Sequence, residues 1–136
     1  MEQATLSIPA DRDTIRAVLL DVLALPEWNE AFVSLSGPAV PTVGTPYTLQ
    51  VRPGLSGRLE YAAIEPDRIE IHWQVPGFRE SGIWTIADSG QVTHTFTQSG
   101  PLAAVLKPAY RGIAHVRLNR LATRVQRLLT RKAGRA

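Results

Sequence analysis

The apolar residues of this chain change their spacing once, near residue 100, and that change limits the folds it can adopt. Between residues 31 and 99, six short runs alternate polar with apolar side chains, and glycine, proline and aspartate separate them. Period-two alternation is typical of strands with one buried face, and short separators join neighbouring strands as hairpins. After Gly100 the spacing becomes helical. The pattern predicts an antiparallel sheet followed by one long helix.

The chain before residue 31 predicts one strand and then helix. The string "ATLSIP" alternates apolar with polar residues up to Pro9, as a first strand that leads into a turn would. In "ADRDTIRAVLLDVLAL", Asp11 or Asp13 provides an N-cap, and apolar residues recur at helical spacing until Pro26. One or two short helices are therefore expected between the first and second strands.

The segment after Gly100 predicts the long C-terminal helix. Its apolar stripe continues over many turns and consists of Tyr110, Ala114, Leu118, Leu121, Val125 and Leu128. Pro108 places the start of the helix nearby, or a kink after a first turn at "PLAAVL", because proline lacks the amide hydrogen that a helix interior needs. The tail, residues 131–136, is expected to fray.

These elements predict a single α+β domain that covers residues 1–136. A curved antiparallel sheet would wrap around the long C-terminal helix, and the two short helices after the first strand would close one edge. A chain of 136 residues suits one domain with a single core. Any volume that the side chains leave unfilled between sheet and helix would form a pocket.

Alternation within the predicted strands indicates which side chains face the helix. "RIEIHWQV" directs Trp73 inward, and "VTHTFTQ" puts His94 on the same face as Phe96. The string "VPGFRE" is interpreted as a connection between strands, so its residues are not assigned to the interior. The predicted interior contains Tyr47, Tyr61, Trp73, Trp84, His94 and Phe96.

An interior of this composition has two interpretations. It fits a small-molecule pocket, because such pockets are lined by aromatic side chains and a few hydrogen-bonding groups. Alternatively, the aromatic side chains form only a core, and His94 is a structural histidine bonded to a neighbouring group. The sequence leaves both interpretations open.

Several classes of chemistry lack their sequence signatures. The chain has no cysteine, which excludes disulfides, thiolate metal sites and cysteine nucleophiles. His72, His94 and His115 show no metal-binding spacing, and the glycines form neither a P-loop nor a dinucleotide-binding motif. Glu60 and Glu70 alternate to the outer face, so they do not form a carboxylate pair in the interior. Neither a metal nor a cofactor is expected.

The net charge of +3 conceals a strong asymmetry. No aspartate or glutamate follows Asp88, and nine of the fifteen basic residues lie between Lys107 and Arg135. One face of the predicted helix presents Arg120, Arg124, Arg127 and Arg131. This stripe suits phosphates, an anionic membrane or a partner, or else it is a solvated outer face. Nucleic-acid binding is not expected, because no aromatic residues are interleaved with the arginines.

The N-terminal sequence and the hydropathy indicate where in the cell the protein is expected. "MEQATLSIPAD" lacks the basic and apolar regions of a signal peptide, and no apolar run is long enough to span a bilayer. A cytoplasmic protein without a transmembrane segment, either monomeric or homodimeric, is therefore expected.

Several strings, in their order, resemble the START/Bet v 1-like helix-grip superfamily (SRPBCC), and in particular its bacterial polyketide cyclase/dehydrase-like branch. They are "IPADRDTIRAVLLDVLALPEWNEAF", "PTVGTPYTLQV", "AAIEPDRIEIHW", "GIWTIADSGQVTHTFTQSGPL" and the closing helix, and together they cover nearly the whole chain. The resemblance implies that the segment with Pro26, Trp28 and Asn29 leads from the first helix into the second strand. Trp28 would then pack over the mouth between sheet and helix.

The resemblance also implies what the interior does, because this fold hosts carriers, sensors and cyclases. The leading hypothesis is binding of a hydrophobic or aromatic small molecule, a lipid or a polyketide-like compound, by a carrier or sensor. The ligand would contact Trp28, Tyr47, Tyr61, Trp73, Trp84, His94, Phe96 and Tyr110. One alternative is a polyketide cyclase/dehydratase that uses His94 as its candidate catalytic residue together with cavity tyrosines. Another is binding of anions, membranes or a partner through the basic helix.

Overall fold

The computed structural model of the protein describes residues 1–134, which form seven strands and three α-helices. The strands are β1 (Glu2–Ser7), β2 (Ser34–Ser36), β3 (Tyr47–Val51), β4 (Leu55–Ile64), β5 (Arg68–Val75), β6 (Phe78–Ile86) and β7 (Gln91–Ser99). The helices are α1 (Arg12–Leu20), α2 (Pro101–Leu106) and α3 (Ile113–Gly134), and 3₁₀ helices cover Val22–Glu27 and Lys107–Tyr110. Among these residues, no helix combines the length and the apolar character needed to cross a bilayer.

All seven strands belong to one antiparallel sheet with the order β1-β7-β6-β5-β4-β3-β2. From β2 to β7, each strand pairs with the next one in sequence, whereas β1 pairs with β7 and so occupies an edge. The long helix α3 packs against β1, β7 and α1. The curved sheet, the short helices and the long C-terminal helix confirm the predicted α+β architecture.

The two short helices predicted after β1 are present as α1 and the 3₁₀ helix at Val22–Glu27. Asp11 caps α1, because its carboxylate accepts the amide hydrogen of Thr14 at 2.7 Å. Val18 and Leu19 then bury one face of the helix. This face brings α1 into contact with α3 and β6, which closes that side of the interior.

Burial along the strands follows the predicted alternation. Along β5, buried residues alternate with half-buried ones without a break. Each side chain expected in the interior is buried, namely Tyr47, Tyr61, Trp73, Trp84, His94 and Phe96. The period-two pattern therefore identified the face of the sheet that meets the helix.

The prediction that "VPGFRE" as a whole connects two strands is wrong, because the turn in the structure is shorter. Only Pro76 and Gly77 form the turn, and β6 begins at Phe78. Gly77 has a φ of 82°, a conformation that glycine adopts without strain and that permits a tight hairpin. Alternation in β6 therefore starts three residues earlier than predicted, and it turns Glu80 into the interior.

The C-terminal region also differs in part from the prediction. "PLAAVL" forms the separate helix α2, and Pro108 lies in a 3₁₀ turn, so that α3 begins only at Ile113. Within the predicted stripe, Ala114, Leu118, Leu121 and Val125 are buried, Leu128 is half-buried, and Tyr110 precedes α3. Residues 131–134, the first part of the tail that was expected to fray, continue α3, and the last two residues lie outside the described part of the chain.

Candidate functional site

Arg117 lies on the buried face of α3, three residues after Ala114 and four before Leu121, and is only 1% exposed. Its Nη1 donates to Glu80 Oε2 at 2.9 Å, and its Nη2 donates to Glu80 Oε1 at 3.0 Å. Its Nε donates to Glu30 Oε1 at 3.1 Å. Two parallel bonds to one carboxylate are the strong form of arginine pairing. A single side chain thus joins α3 to β6 and to the loop before β2.

Glu80 is the acceptor at the centre of this cluster and is only 3% exposed. Besides the two bonds from Arg117, Oε2 accepts Trp73 Nε1 at 3.0 Å and Oε1 accepts Gln98 Nε2 at 3.0 Å. Burial alone would raise the pKa of the Glu80 carboxyl, but the charge and hydrogen bonds of Arg117, with those of Gln98 and Trp73, lower it below its usual value. Glu80 is therefore an ionised and fully bonded carboxylate.

His94 completes the cluster from β7. Its Nδ1 lies 3.1 Å from the carbonyl oxygen of Ile83, and its Nε2 lies 3.3 Å from Nη1 of Arg117. Because a guanidinium only donates, Nε2 is the acceptor and Nδ1 carries the hydrogen. Burial, and then the charge of Arg117, lower the pKa of His94 to about 3. The imidazole is neutral at physiological pH, and its ring stacks on Trp84 with centroids 3.7 Å apart.

Glu30 gives the cluster a negative excess, because two carboxylates face one guanidinium. Its Oε2 is buried and has no hydrogen-bond partner among residues 1–134. Burial would lower the pKa of Arg117, but the charges of Glu80 and Glu30 raise it above its usual value. No three acidic or histidine side chains within residues 1–134 are grouped so that they could hold a metal ion. The charges of the cluster are therefore arranged around Arg117.

Two aromatic rings cover the outer side of the guanidinium. Arg117 Cζ lies 4.8 Å from the ring centroid of Phe96 and 6.0 Å from that of Tyr110. Tyr110 also stacks on Phe78, with ring centroids 5.7 Å apart. Burial and the charge of Glu80 raise the pKa of Tyr110 to about 12, so its hydroxyl stays protonated at neutral pH. The rings separate the charged cluster from a surface pocket.

That surface pocket, which we call the edge pocket, has a volume of about 360 Å³. It is lined by Met1, Glu2, Phe96, Gln98, Ala103, Ala104, Lys107, Tyr110 and Arg111. Three of these residues also contact the buried cluster: Phe96 and Tyr110 through Arg117, and Gln98 through Glu80. The edge pocket and the buried cluster therefore share a wall.

The structure places the predicted ligand-binding residues in different surroundings. Phe96 and Tyr110 line the edge pocket. Tyr47 and Tyr61 lie in the core, where their hydroxyls donate at 2.6 Å to the carbonyl oxygens of Pro38 and Leu19. Trp73 and His94 take part in the buried cluster, and Trp84 stacks on His94. The structure thus does not bring the eight predicted contacts together at one place.

Trp28 is buried beside Trp84, with ring centroids 5.8 Å apart in an edge-on arrangement. Its Nε1 has no hydrogen-bond partner within residues 1–134. The indole lines two surface pockets beside α3 that also contain Arg124 and Arg127. Arg124 pairs with Glu27 at 2.8 Å, so part of the basic stripe is neutralised by the 3₁₀ helix beside it.

Sequence reasoning missed Arg117, Glu80 and Glu30. Arg117 falls between Ala114 and Leu121 at helical spacing, so it shares the apolar face of α3. Glu80 lies two residues before the inward-facing Gly82, so a predicted strand that included residue 80 would have directed its side chain inward. Both signals were present, but a charged residue is ordinarily assigned to the surface. No comparable signal marks Glu30.

No protein-family model and no curated protein matches this sequence. Solved structures do match. An aromatase/cyclase, ZhuI from Streptomyces sp. R1128, is 17% identical with a TM-score of 0.71, and the match covers 94% of each chain. Norcoclaurine synthase from Thalictrum flavum, solved with dopamine and hydroxybenzaldehyde, is 13% identical with a TM-score of 0.68, and the match covers 93% of this chain and 86% of that one.

A third solved structure is DynU16, a protein of the dynemicin biosynthetic locus. It is 24% identical with a TM-score of 0.60, and the match covers 91% of this chain but 46% of DynU16. At these identities the likeness concerns the fold, which in this chain consists of the seven-stranded curved sheet, the short helices and the long C-terminal helix. The chain described here therefore has the Bet v 1-like helix-grip fold.

Proposed function

We propose that the protein is a carrier or sensor that binds a small apolar or aromatic molecule with a polar substituent in the edge pocket. The observation that carries this proposal is the shared wall: Phe96, Gln98 and Tyr110 line the pocket and also contact the Arg117–Glu80 pair. A ligand would meet rings first and hydrogen-bonding groups at their edges, which is the usual composition of a small-molecule site.

The dimensions and chemistry of the pocket support a ligand of modest size. A volume of about 360 Å³ lies within the range of small-molecule sites. Phe96, Ala103 and Ala104 supply apolar wall, and the protonated hydroxyl of Tyr110 and the amide of Gln98 supply polar groups. The solved structure of norcoclaurine synthase, with this fold, contains two aromatic compounds, which is in keeping with an aromatic ligand.

A second candidate is cyclase or dehydratase chemistry with His94 as acid or base, which the fold shared with an aromatase/cyclase favours. The surroundings of His94 favour binding instead. With a pKa of about 3, His94 does not form an imidazolium that could act as an acid at neutral pH. Its Nδ1–H is bonded to the carbonyl oxygen of Ile83, and its Nε2 accepts from Arg117. Proton transfer also requires contact with the reacting atom, whereas His94 is buried behind Phe96 and Trp84.

The proposal is tested by filling the edge pocket without disturbing the buried cluster. Ala103→Phe adds a ring to the pocket wall, and Ala133→Phe adds the same ring to an exposed position near the end of α3. Isothermal titration calorimetry is carried out with 2-naphthol, naringenin and palmitate. We expect at least one probe to bind one-to-one, with an affinity that Ala103→Phe weakens by at least about tenfold, equal to about 1.4 kcal/mol.

Ala133→Phe should leave that affinity within about twofold of the original protein. Equal affinity in Ala103→Phe and the original protein would place the ligand elsewhere and contradict the proposal, as would the absence of binding by all three probes. For the catalytic candidate, incubation of an aromatic polyketide substrate with His94→Ala is decisive, because an active variant eliminates His94 as acid or base.

A further inference from the structure

Helix α2 is apolar along its length, yet none of its six residues is buried. Val105 is 70% exposed and Leu102 is 37% exposed. Val116, in the first turn of α3, is also 37% exposed. Ala103 and Leu106 of α2 pack partly against the core. Burial of apolar side chains is a main source of helix stability, and the core does not cover Val105, Leu102 or Val116. The segment 101–116, which we call the α2 face, therefore has apolar side chains available to a partner.

The α2 face is also positively charged. Lys107 and Arg111 are exposed and line the rim of the edge pocket beside Ala103 and Ala104. No aspartate or glutamate occurs anywhere after Asp88, so no acidic residue of this segment offsets them. Glu2 also lines the edge pocket, but its carboxylate bonds the backbone amides of Gly112 and Ala114. Exposed apolar side chains next to an excess of cations are the combination found on protein segments that lie in the interface of an anionic membrane.

We propose that the α2 face docks onto an anionic membrane surface. Val105 and Leu102 enter the region between headgroups and acyl chains, and Lys107 and Arg111 contact lipid phosphates. A second copy of the chain fits less well, because a symmetric contact would place the same cations opposite each other. Docking also turns the edge pocket toward the bilayer, since Lys107 and Arg111 belong to both surfaces. The docking itself does not depend on the function proposed above.

The test is flotation of the 136-residue protein with lipid vesicles at low and high salt. One set of vesicles contains phosphatidylcholine alone, and the other contains phosphatidylcholine with phosphatidylglycerol. We expect partitioning onto the anionic vesicles at low salt to exceed that onto the neutral ones by at least about tenfold, and to fall steeply at high salt. Val105→Glu should lower partitioning onto anionic vesicles by at least about tenfold.

The matched control is Val40→Glu, which makes the same change at a valine that is 76% exposed between β2 and β3. It should keep at least about half of the original partitioning. Far-UV circular dichroism and thermal unfolding check that both variants are folded, and Lys107→Gln tests the cation in a variant without added negative charge.

Three results would overturn the proposal: equal partitioning onto neutral and anionic vesicles, no partitioning at low salt, or equal losses in Val40→Glu and Val105→Glu. A fourth contradictory result could come from light scattering, which measures the oligomeric state. If the original protein is a dimer that Val105→Glu converts to a monomer, the α2 face is a contact between copies. Because no pocket ligand is present in flotation and no vesicle is present in calorimetry, failure of docking and failure of ligand binding are separate results.

Discussion

Arg117 is the residue on which the interior depends, because its guanidinium is the positive charge that faces the buried Glu80 and the half-buried Glu30. Removing two charges from water costs several kcal/mol each, and their attraction offsets this only when the geometry is good and the remaining lone pairs are bonded. Here both Glu80 oxygens have two donors each. The pair is therefore well satisfied, and its two members depend on each other.

Arg117→Met should lower the free energy of unfolding by roughly 3 to 5 kcal/mol, because it leaves Glu80 buried without its counter-charge. Urea denaturation measures this loss. The control is Arg124→Met, which removes an arginine from a pair with Glu27 near the surface and should cost less than about 1 kcal/mol. Equal losses in the two variants would mean that the buried pair does not stabilise the fold.

Removing both charges of the Arg117–Glu80 pair provides a second test of how much this pair stabilises the fold. The double variant Arg117→Met with Glu80→Leu removes both charges of the pair and should recover at least about half of the stability that Arg117→Met loses. Trp73 and Gln98 would lose their acceptor, which limits the recovery. A double variant as unstable as the single one would show that removing the unpaired carboxylate recovers no more stability than the loss of these two hydrogen bonds costs.

Among the elements, α3 begins with a cap from the far end of the sequence. Glu2 on β1 accepts the amide hydrogen of Gly112 at 2.8 Å through Oε1 and that of Ala114 at 2.7 Å through Oε2. Arg111 and Gly112, which come just before α3, offer no side-chain acceptor of their own. A carboxylate at this position bonds otherwise unpaired amides and opposes the positive end of the helix.

Glu2→Ala should therefore cost about 1 to 2 kcal/mol of unfolding free energy and speed up amide hydrogen exchange in the first turn of α3. Denaturation and exchange measured by NMR detect the two effects. Gln3→Ala, the neighbouring position on the exposed side of β1, should leave exchange in α3 unchanged. If the two variants behave alike, Glu2 contributes only as a strand residue.

The pairing of β4 with β5 requires a glycine at residue 57. A Cβ atom there would lie 1.8 Å from the backbone oxygen of Gln74, which no side-chain rotation can relieve. Gly57→Ala should cost roughly 2 to 3 kcal/mol, because the strands must separate locally. Gly134→Ala, at a position with open space, should cause no loss. A stable Gly57→Ala variant in the same denaturation experiment would show that the strand pair adjusts freely.

Global stability should depend on pH because His94 is neutral in the folded protein. Its folded pKa of about 3 lies below the value of about 6.5 expected in the unfolded chain, so between these values the unfolded state binds more protons. Unfolding free energy therefore falls as the pH is lowered, by roughly 2 kcal/mol between about pH 7 and about pH 5. Glu80, whose folded pKa is also lowered, adds a further loss only in more acidic solution.

Urea denaturation over this range tests the assignment to His94. His94→Gln retains an amide that can bond Arg117 but does not titrate, so its stability should change less with pH than that of the original protein. His115→Gln, which replaces an exposed histidine of α3, should retain the original slope. The idea fails if His94→Gln shows the same pH dependence as the original protein.

The antiparallel sheet, the two short helices and the long C-terminal helix could be predicted from the amino-acid sequence. So could the inward direction of four side chains, namely Trp73, Trp84, His94 and Phe96. These features follow from spacing along the chain, since a strand alternates its side chains every two residues and a helix repeats every 3.6. The length of β6 was misjudged because a turn needs only Pro76 and Gly77, whereas the string around them contains other residues common in loops.

The pairing of the buried charged residues depends on how distant segments pack together. Arg117 and Glu80 are 37 residues apart, and Glu2 caps a helix more than a hundred residues away. Each of these groups alone would be solvated, and burial becomes favourable only once a partner from another element lies within hydrogen-bond distance. Periodicity is a property of one segment, whereas a satisfied buried charge is a property of several segments packed together. The aromatic lining of the interior was therefore predictable from the sequence, whereas the pairing of Arg117 with Glu80 and Glu30 behind the edge pocket was not.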